Sequence, residues 1–169
     1  MKKKVVIGLV LGVWLIVIGV VLTLYIGFWP QWFDKKGVYI ELTYAFKECE
    51  VPFSDEGFCL ETKNYRFAGR PDAIDEIKEA GYDTIQDYID VSLRMASMEG
   101  ITRLYEDENT RFYYILDLPD EDHPLWEAKL MIVMEGESNY YRMIFFCESK
   151  DYHRYEARFL RWAKTIRVD

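Results

Sequence analysis

Asp120, Glu121, Asp122 and His123 form one run between Pro119 and Pro124. Carboxylates and an imidazole are donor types that hold divalent cations. The run lacks the alternating ligand spacing and the glycine of an EF-hand loop, so it reads better as a solvated acidic loop. Glu106, Asp107 and Glu108 make a second acidic group. General acid–base work needs two carboxyls in unlike environments, which a polar turn does not supply. The chain has two histidines, His123 and His153, and no serine or cysteine with an obvious histidine partner. Nucleophile-elbow, phosphate-loop, dinucleotide-loop and zinc-protease motifs are all absent. The expectation is a protein without enzymatic activity, cofactor or metal centre. A carboxylate-dependent hydrolase is the remaining enzymatic alternative.

Two other residue types could carry chemistry. Cys49 and Cys59 bracket the turn-rich stretch EVPFSDEGF, which could bring their sulfurs together in an oxidising compartment. The sequence leaves the bridged and reduced states open, because it supplies no geometry. Cys147 falls on an apolar stretch and is expected to pack as a small hydrophobe. The chain also has thirteen tyrosines. Tyrosine supplies binding area with a polar handle. Tyr113 and Tyr140, with Asp120, Glu121 and Asp122, are the candidate partner surface. A sheet with helices on both faces would instead bury these tyrosines, and both arrangements stand.

The elements that must position these groups begin with residues 5–29, a stretch of 25 residues without a charge. At about 1.5 Å per residue, such a helix crosses a ~30 Å hydrocarbon core. Lys2, Lys3 and Lys4 precede it, and Trp29 and Trp32 mark its far end. It is longer than the apolar core of a cleaved signal peptide. The expected organisation is a cytoplasmic tail at 1–4, a transmembrane signal anchor at 5–29, a tether at 30–37 and an extracytoplasmic domain at 38–169. Gly8 and Gly12 form a GxxxG, a possible helix–dimer contact, although glycine is frequent in membrane helices in any case. Without the three leading lysines, 18 basic residues stand against 29 acidic ones, a net charge of −11. That balance argues against a nucleic-acid partner and against lying flat on an anionic bilayer.

Beyond the anchor, residues 38–46 alternate as a half-buried strand, and FCLET offers a second. RPDAIDEIKEAG predicts a short helix with Pro71 near its start and Gly81 past its end. Ile85, Tyr88, Ile89, Ser92, Met95 and Ala96 recur at helical spacing after a cap at Asp83 or Thr84. A strand meander follows, ending in a hairpin about Gly136. On its strands Trp126, Ala128, Leu130, Ile132 and Met134, then Tyr141, Met143, Phe145 and Cys147, are expected to face inward. Tyr152, Tyr155, Phe159, Trp162, Ala163 and Ile166 give a closing amphipathic helix. Its other side carries His153, Arg154, Arg158, Arg161 and Lys164. This grouping predicts α+β, a central antiparallel sheet covered by helices.

From about residue 84 to 168 the order of elements resembles the superfamily of the photosystem II extrinsic subunit PsbP. That superfamily also holds a nuclear-import Ran-binding factor and many bacterial envelope proteins. The resemblance rests on the hairpin MEGESNYYRMIFFC, with its aromatic Tyr140 or Tyr141 after the turn, and on a closing helix with Trp162 and Ile166. It implies an α/β/α sandwich and assigns no functional residue. The functional expectation is a membrane-anchored extracytoplasmic binding or scaffold protein with a protein partner. The alternative is an immunity-type protein that neutralises a basic effector at the membrane.

Overall fold

The computed structural model describes residues 12–23, 29–51, 56–95, 103–106, 111–117 and 128–169. Residues 12–23 form helix α1, whose residues 13–23 are all exposed. No helix among the described residues is long and apolar enough to cross a membrane. The rest of the expected anchor, residues 5–11 and 24–28, lies outside the described residues, as do the lysine tail and Gly8. Gly12 opens α1, and no atom comes within 4 Å of where its Cβ would lie.

Residues 30–37, expected as a tether, instead enter the fold. Strand β1 (Pro30–Lys35) pairs antiparallel with β2 (Val38–Thr43), from Pro30 opposite Thr43 to Lys35 opposite Val38. Lys36 and Gly37 turn the corner with φ of 54° and 79°, the left-handed pair of a two-residue hairpin turn. The proline and charges of PQWFDK suggested a flank, but only one side of β1 must be apolar, and Phe33 supplies it by packing against the core.

The remaining strands are β3 (Lys47–Glu48), β4 (Phe58–Glu61), β5 (Tyr65–Ala73), β6 (Arg103–Glu106), β7 (Phe112–Asp117), β8 (Ala128–Glu135), β9 (Asn139–Cys147) and β10 (Arg167–Val168). The seven strands β3–β9 make one antiparallel sheet in the order β3-β4-β5-β9-β8-β7-β6. β10 pairs with the free side of β2, making a second, three-stranded sheet in the order β1-β2-β10. The helices are α2 (Ile74–Glu79), α3 (Ile85–Met95) and α4 (Tyr152–Ala163), the last entered through a 3₁₀ turn, Ser149–Asp151.

The large sheet is buried on both faces. Leu130, Ile132, Met134, Tyr141, Met143, Phe145 and Tyr113 face α4 and the small sheet. Met131, Val133, Phe112, Tyr114 and Tyr140 pack with Ile74, Tyr88, Ile89 and Leu93 of α2 and α3. Tyr113 and Tyr140 are 0% and 1% exposed, so they cannot form the partner surface expected of them. The run LMIVM on β8 reads as alternating, but its two sets of apolar residues serve two cores, as in any strand covered twice. Phe145 centres the larger core. Its ring stacks on Phe67 at 4.5 Å, Phe159 at 4.9 Å and Trp162 at 6.0 Å.

α3 begins with a reciprocal cap. The Asp87 N–H donates to Thr84 Oγ1 at 3.1 Å, and the Thr84 N–H donates to the Asp87 carboxylate at 2.9 Å. The Thr84 hydroxyl, which donates to the Asp87 carboxylate at 2.7 Å, and then the Thr84 N–H hold the Asp87 carboxyl below its usual range. The expected helix at Pro71 starts later, at Ile74, because β5 keeps its ladder with β9 through Ala73 opposite Asn139. β4 stops pairing at Gly69, so Pro71 sits where one side of β5 has no partner strand. Beneath α3, Tyr88 donates to Asp72, which also pairs with Arg70. Burial, then the Asp72 charge, raises the Tyr88 phenol well above its usual range.

Candidate functional site

Three sequence candidates carry no site. Asp120, Glu121, Asp122 and His123 lie outside the described residues. His153 is exposed on α4. Cys147 is 0% exposed, and burial first, then Asp151 and Glu148, pushes its thiol up to about 12, far from a nucleophilic thiolate. Among the described residues no group of His, Cys, Asp and Glu converges as a metal site. Cys49 and Cys59 are disulfide-bonded with Cα atoms 5.1 Å apart. The Cys49 N–H donates to the Cys59 carbonyl at 3.1 Å, so the bridge staples β3 to β4. Val51, Ala68 and Phe146 pack around it.

The structure assembles a different site, a cleft of about 790 Å³. Its residues come from distant parts of the chain. Thr43 ends β2 and Ala45 follows it, Lys47 and Glu48 are β3, and Glu61 to Tyr65 span the β4–β5 turn. Arg154, Tyr155 and Arg158 come from α4, and Thr23 ends α1.

Thr62 fixes the turn that forms one rim. Its N–H and Oγ1 both donate to the Tyr65 carbonyl, at 2.8 and 3.1 Å. The N–H groups of Asn64 and Tyr65 each donate back to Oγ1 at 3.2 Å. This locked turn leaves Lys63 and Asn64 exposed at the tip. The floor is aromatic. Tyr65 and Tyr155 meet edge to face at 5.1 Å, and both are buried by Trp162 and Phe159 behind them.

Arg158 lies across this floor. Its guanidinium is 6.0 Å from the Tyr65 ring, 5.8 Å from Tyr155 and 5.9 Å from Trp162. It also donates to the Tyr65 hydroxyl at 3.3 Å. Arg154, one helical turn earlier, sits 5.6 Å from the Tyr155 ring. Ring contacts of this kind hold a guanidinium in place without neutralising it.

Charge pairing decides the sign of the cleft. Its two carboxylates already have partners outside it: Glu61 pairs with Arg66 at 2.9 Å, and Glu48 with Lys35. Among the described residues no carboxylate pairs with Lys47, Lys63, Arg154 or Arg158. Four cations therefore border a cleft on a chain whose formal net charge is −8. The arrangement suits an anionic group: guanidinium forks give directed hydrogen bonds and ammonium tips add charge. Sequence reading placed Arg154 and Arg158 on the polar side of the closing helix. It missed Lys47, Lys63 and the turn, because the signal is a spatial sum over residues far apart in sequence, up to 111 positions from Lys47 to Arg158.

No protein-family model matches the sequence, and a comparison with curated proteins finds no match. Among solved structures, cyanobacterial PsbP (CyanoP) from Synechocystis sp. PCC 6803 matches at a TM-score of 0.55 and 12% sequence identity. The match covers 83% of this chain and 92% of that one. At this identity the likeness speaks for the fold alone. With an antiparallel sheet between α4 on one face and α2 and α3 on the other, the chain has a PsbP-like α+β fold.

Proposed function

We propose that this chain is a non-enzymatic binding protein held at a membrane by its apolar N-terminal segment. Residues 30–169 would form the domain outside the cytoplasm. The observation that carries this reading is the uncovered state of α1. Trp14, Leu15 and Ile16 are 61%, 69% and 68% exposed, and no part of the folded domain covers them. Exposed apolar surface of this density needs a lipid or protein environment. In sequence, α1 lies within the uncharged stretch 5–29, and Lys2, Lys3 and Lys4 favour a cytoplasmic N-terminus. The binding reading is supported by the cleft, whose lining residues are suited to holding charge, not to transferring protons. Its positive lining favours an acidic ligand there over the basic effector of an immunity-type protein.

The test is carbonate extraction of cells expressing the full chain, followed by protease treatment of intact cells. The chain should stay with the membrane pellet, and external protease should remove the domain. Release into the soluble fraction, or a domain protected until cells are opened, would overturn the proposal.

A further inference from the structure

We infer that the cleft between α4 and the β4–β5 turn binds the phosphodiester headgroup of an anionic lipid. This rests on the membrane reading above and names the ligand of its binding site.

Position argues for lipid. Thr23, the last described residue of α1, is part of the cleft wall, so the cleft borders the apolar segment. The Trp29 carbonyl accepts from the Tyr44 N–H at 3.0 Å, next to the cleft residues Thr43 and Ala45. Trp29, Trp32 and Tyr44 are 55%, 52% and 61% exposed. Indoles and phenols favour the headgroup layer. A bilayer offers a phosphodiester as its anion at that depth.

Charge argues for capture of a headgroup over adsorption of the whole surface. The domain as a whole is acidic and would be repelled by an anionic bilayer. The four cations border the same cleft as Thr23 and have no internal carboxylate partner among the described residues. A phosphate bound to Arg154 and Arg158, with Lys63 and Lys47 at the rim, satisfies them locally. The Tyr65–Tyr155 floor offers the adjoining glycerol an apolar contact.

The experiment uses the full chain in uncharged detergent micelles, titrated calorimetrically with dihexanoyl phosphatidylglycerol. Dihexanoyl phosphatidylcholine, inorganic phosphate and hexaglutamate are titrated alongside. Phosphatidylglycerol should saturate at one per chain, at least tenfold tighter than phosphatidylcholine. The double variant Lys63→Gln/Arg154→Gln should weaken it at least tenfold. Both of these side chains are exposed, so the variant keeps its fold, and an unchanged melting temperature checks this. Arg158→Gln should weaken binding further. Equal binding of the two lipids, or undiminished binding to the double variant, overturns the inference. Inorganic phosphate or hexaglutamate binding as tightly as phosphatidylglycerol also overturns it, in favour of a free anion or an acidic peptide. Micelle binding does not need an inserted helix. A chain released by carbonate that still binds phosphatidylglycerol would refute the anchor and spare the cleft.

Discussion

Tyr88→Phe removes one oxygen from the contact between α3 and the large sheet. In the native protein that hydroxyl donates to Asp72, whose side chain is 10% exposed. Ring stacking of Tyr88 on Tyr140 at 4.9 Å survives the change, so the loss is that of the hydroxyl's hydrogen bonds, to Asp72 and with Ser92. A hydrogen bond to a charged acceptor contributes about 1.5–3 kcal/mol. Asp72 keeps Arg70, so the cost should stay within that range. Urea denaturation of the full chain in uncharged detergent, followed by near-UV circular dichroism, measures it. A double-mutant cycle with Asp72→Asn should give a coupling of at least ~1 kcal/mol. The alkaline limb supplies a second reading. The Tyr88 phenol is raised above 10.0 by burial and by Asp72, so its contribution is whole below that pH and lost as pH rises beyond it. Tyr88→Phe should flatten that loss. A variant within ~0.5 kcal/mol of wild type, with no coupling to Asp72, refutes the contact.

Phe145→Ala empties the centre of three ring contacts and should cost about 3–5 kcal/mol, read by the same denaturation. Phe33→Ala, at the half-buried margin, should cost much less. Gly136→Ala places a Cβ 2.0 Å from the Asp169 carbonyl oxygen, a backbone atom that cannot swing aside. It should cost about 1–3 kcal/mol and speed exchange of the Glu137 amide, which donates to that oxygen at 2.9 Å. Replacing both Cys49 and Cys59 by serine opens a loop of sequence separation 10 and should cost roughly 2–3 kcal/mol in equilibrium unfolding.

The elements legible in the sequence were those with a local signature. The meander from β6 to β9 showed as apolar stretches parted by polar turns, and α4 as a full helical stripe through Trp162. What stayed hidden depends on partners remote in sequence. β1 has weak alternation and becomes a strand through β2. β10 is two residues long and exists through the other side of β2. Tyr113 and Tyr140 were ambiguous because alternation shows which residues share a face, and gives no count of covered faces. The cationic cleft was hidden for the same reason. Its cations are scattered among carboxylates in the sequence, and only folding pairs Glu48 and Glu61 elsewhere.

The hairpin of β1 and β2 also sets how the domain would respond to a pull. Tension arriving along α1 reaches the sheet at Pro30, opposite Thr43, at the open mouth of the hairpin. Load at that end breaks backbone bonds singly, like a zipper, while β2 stays held by β10. Detaching the six residues of β1 would pay out about 20 Å of cord before the seven-stranded sheet felt any strain.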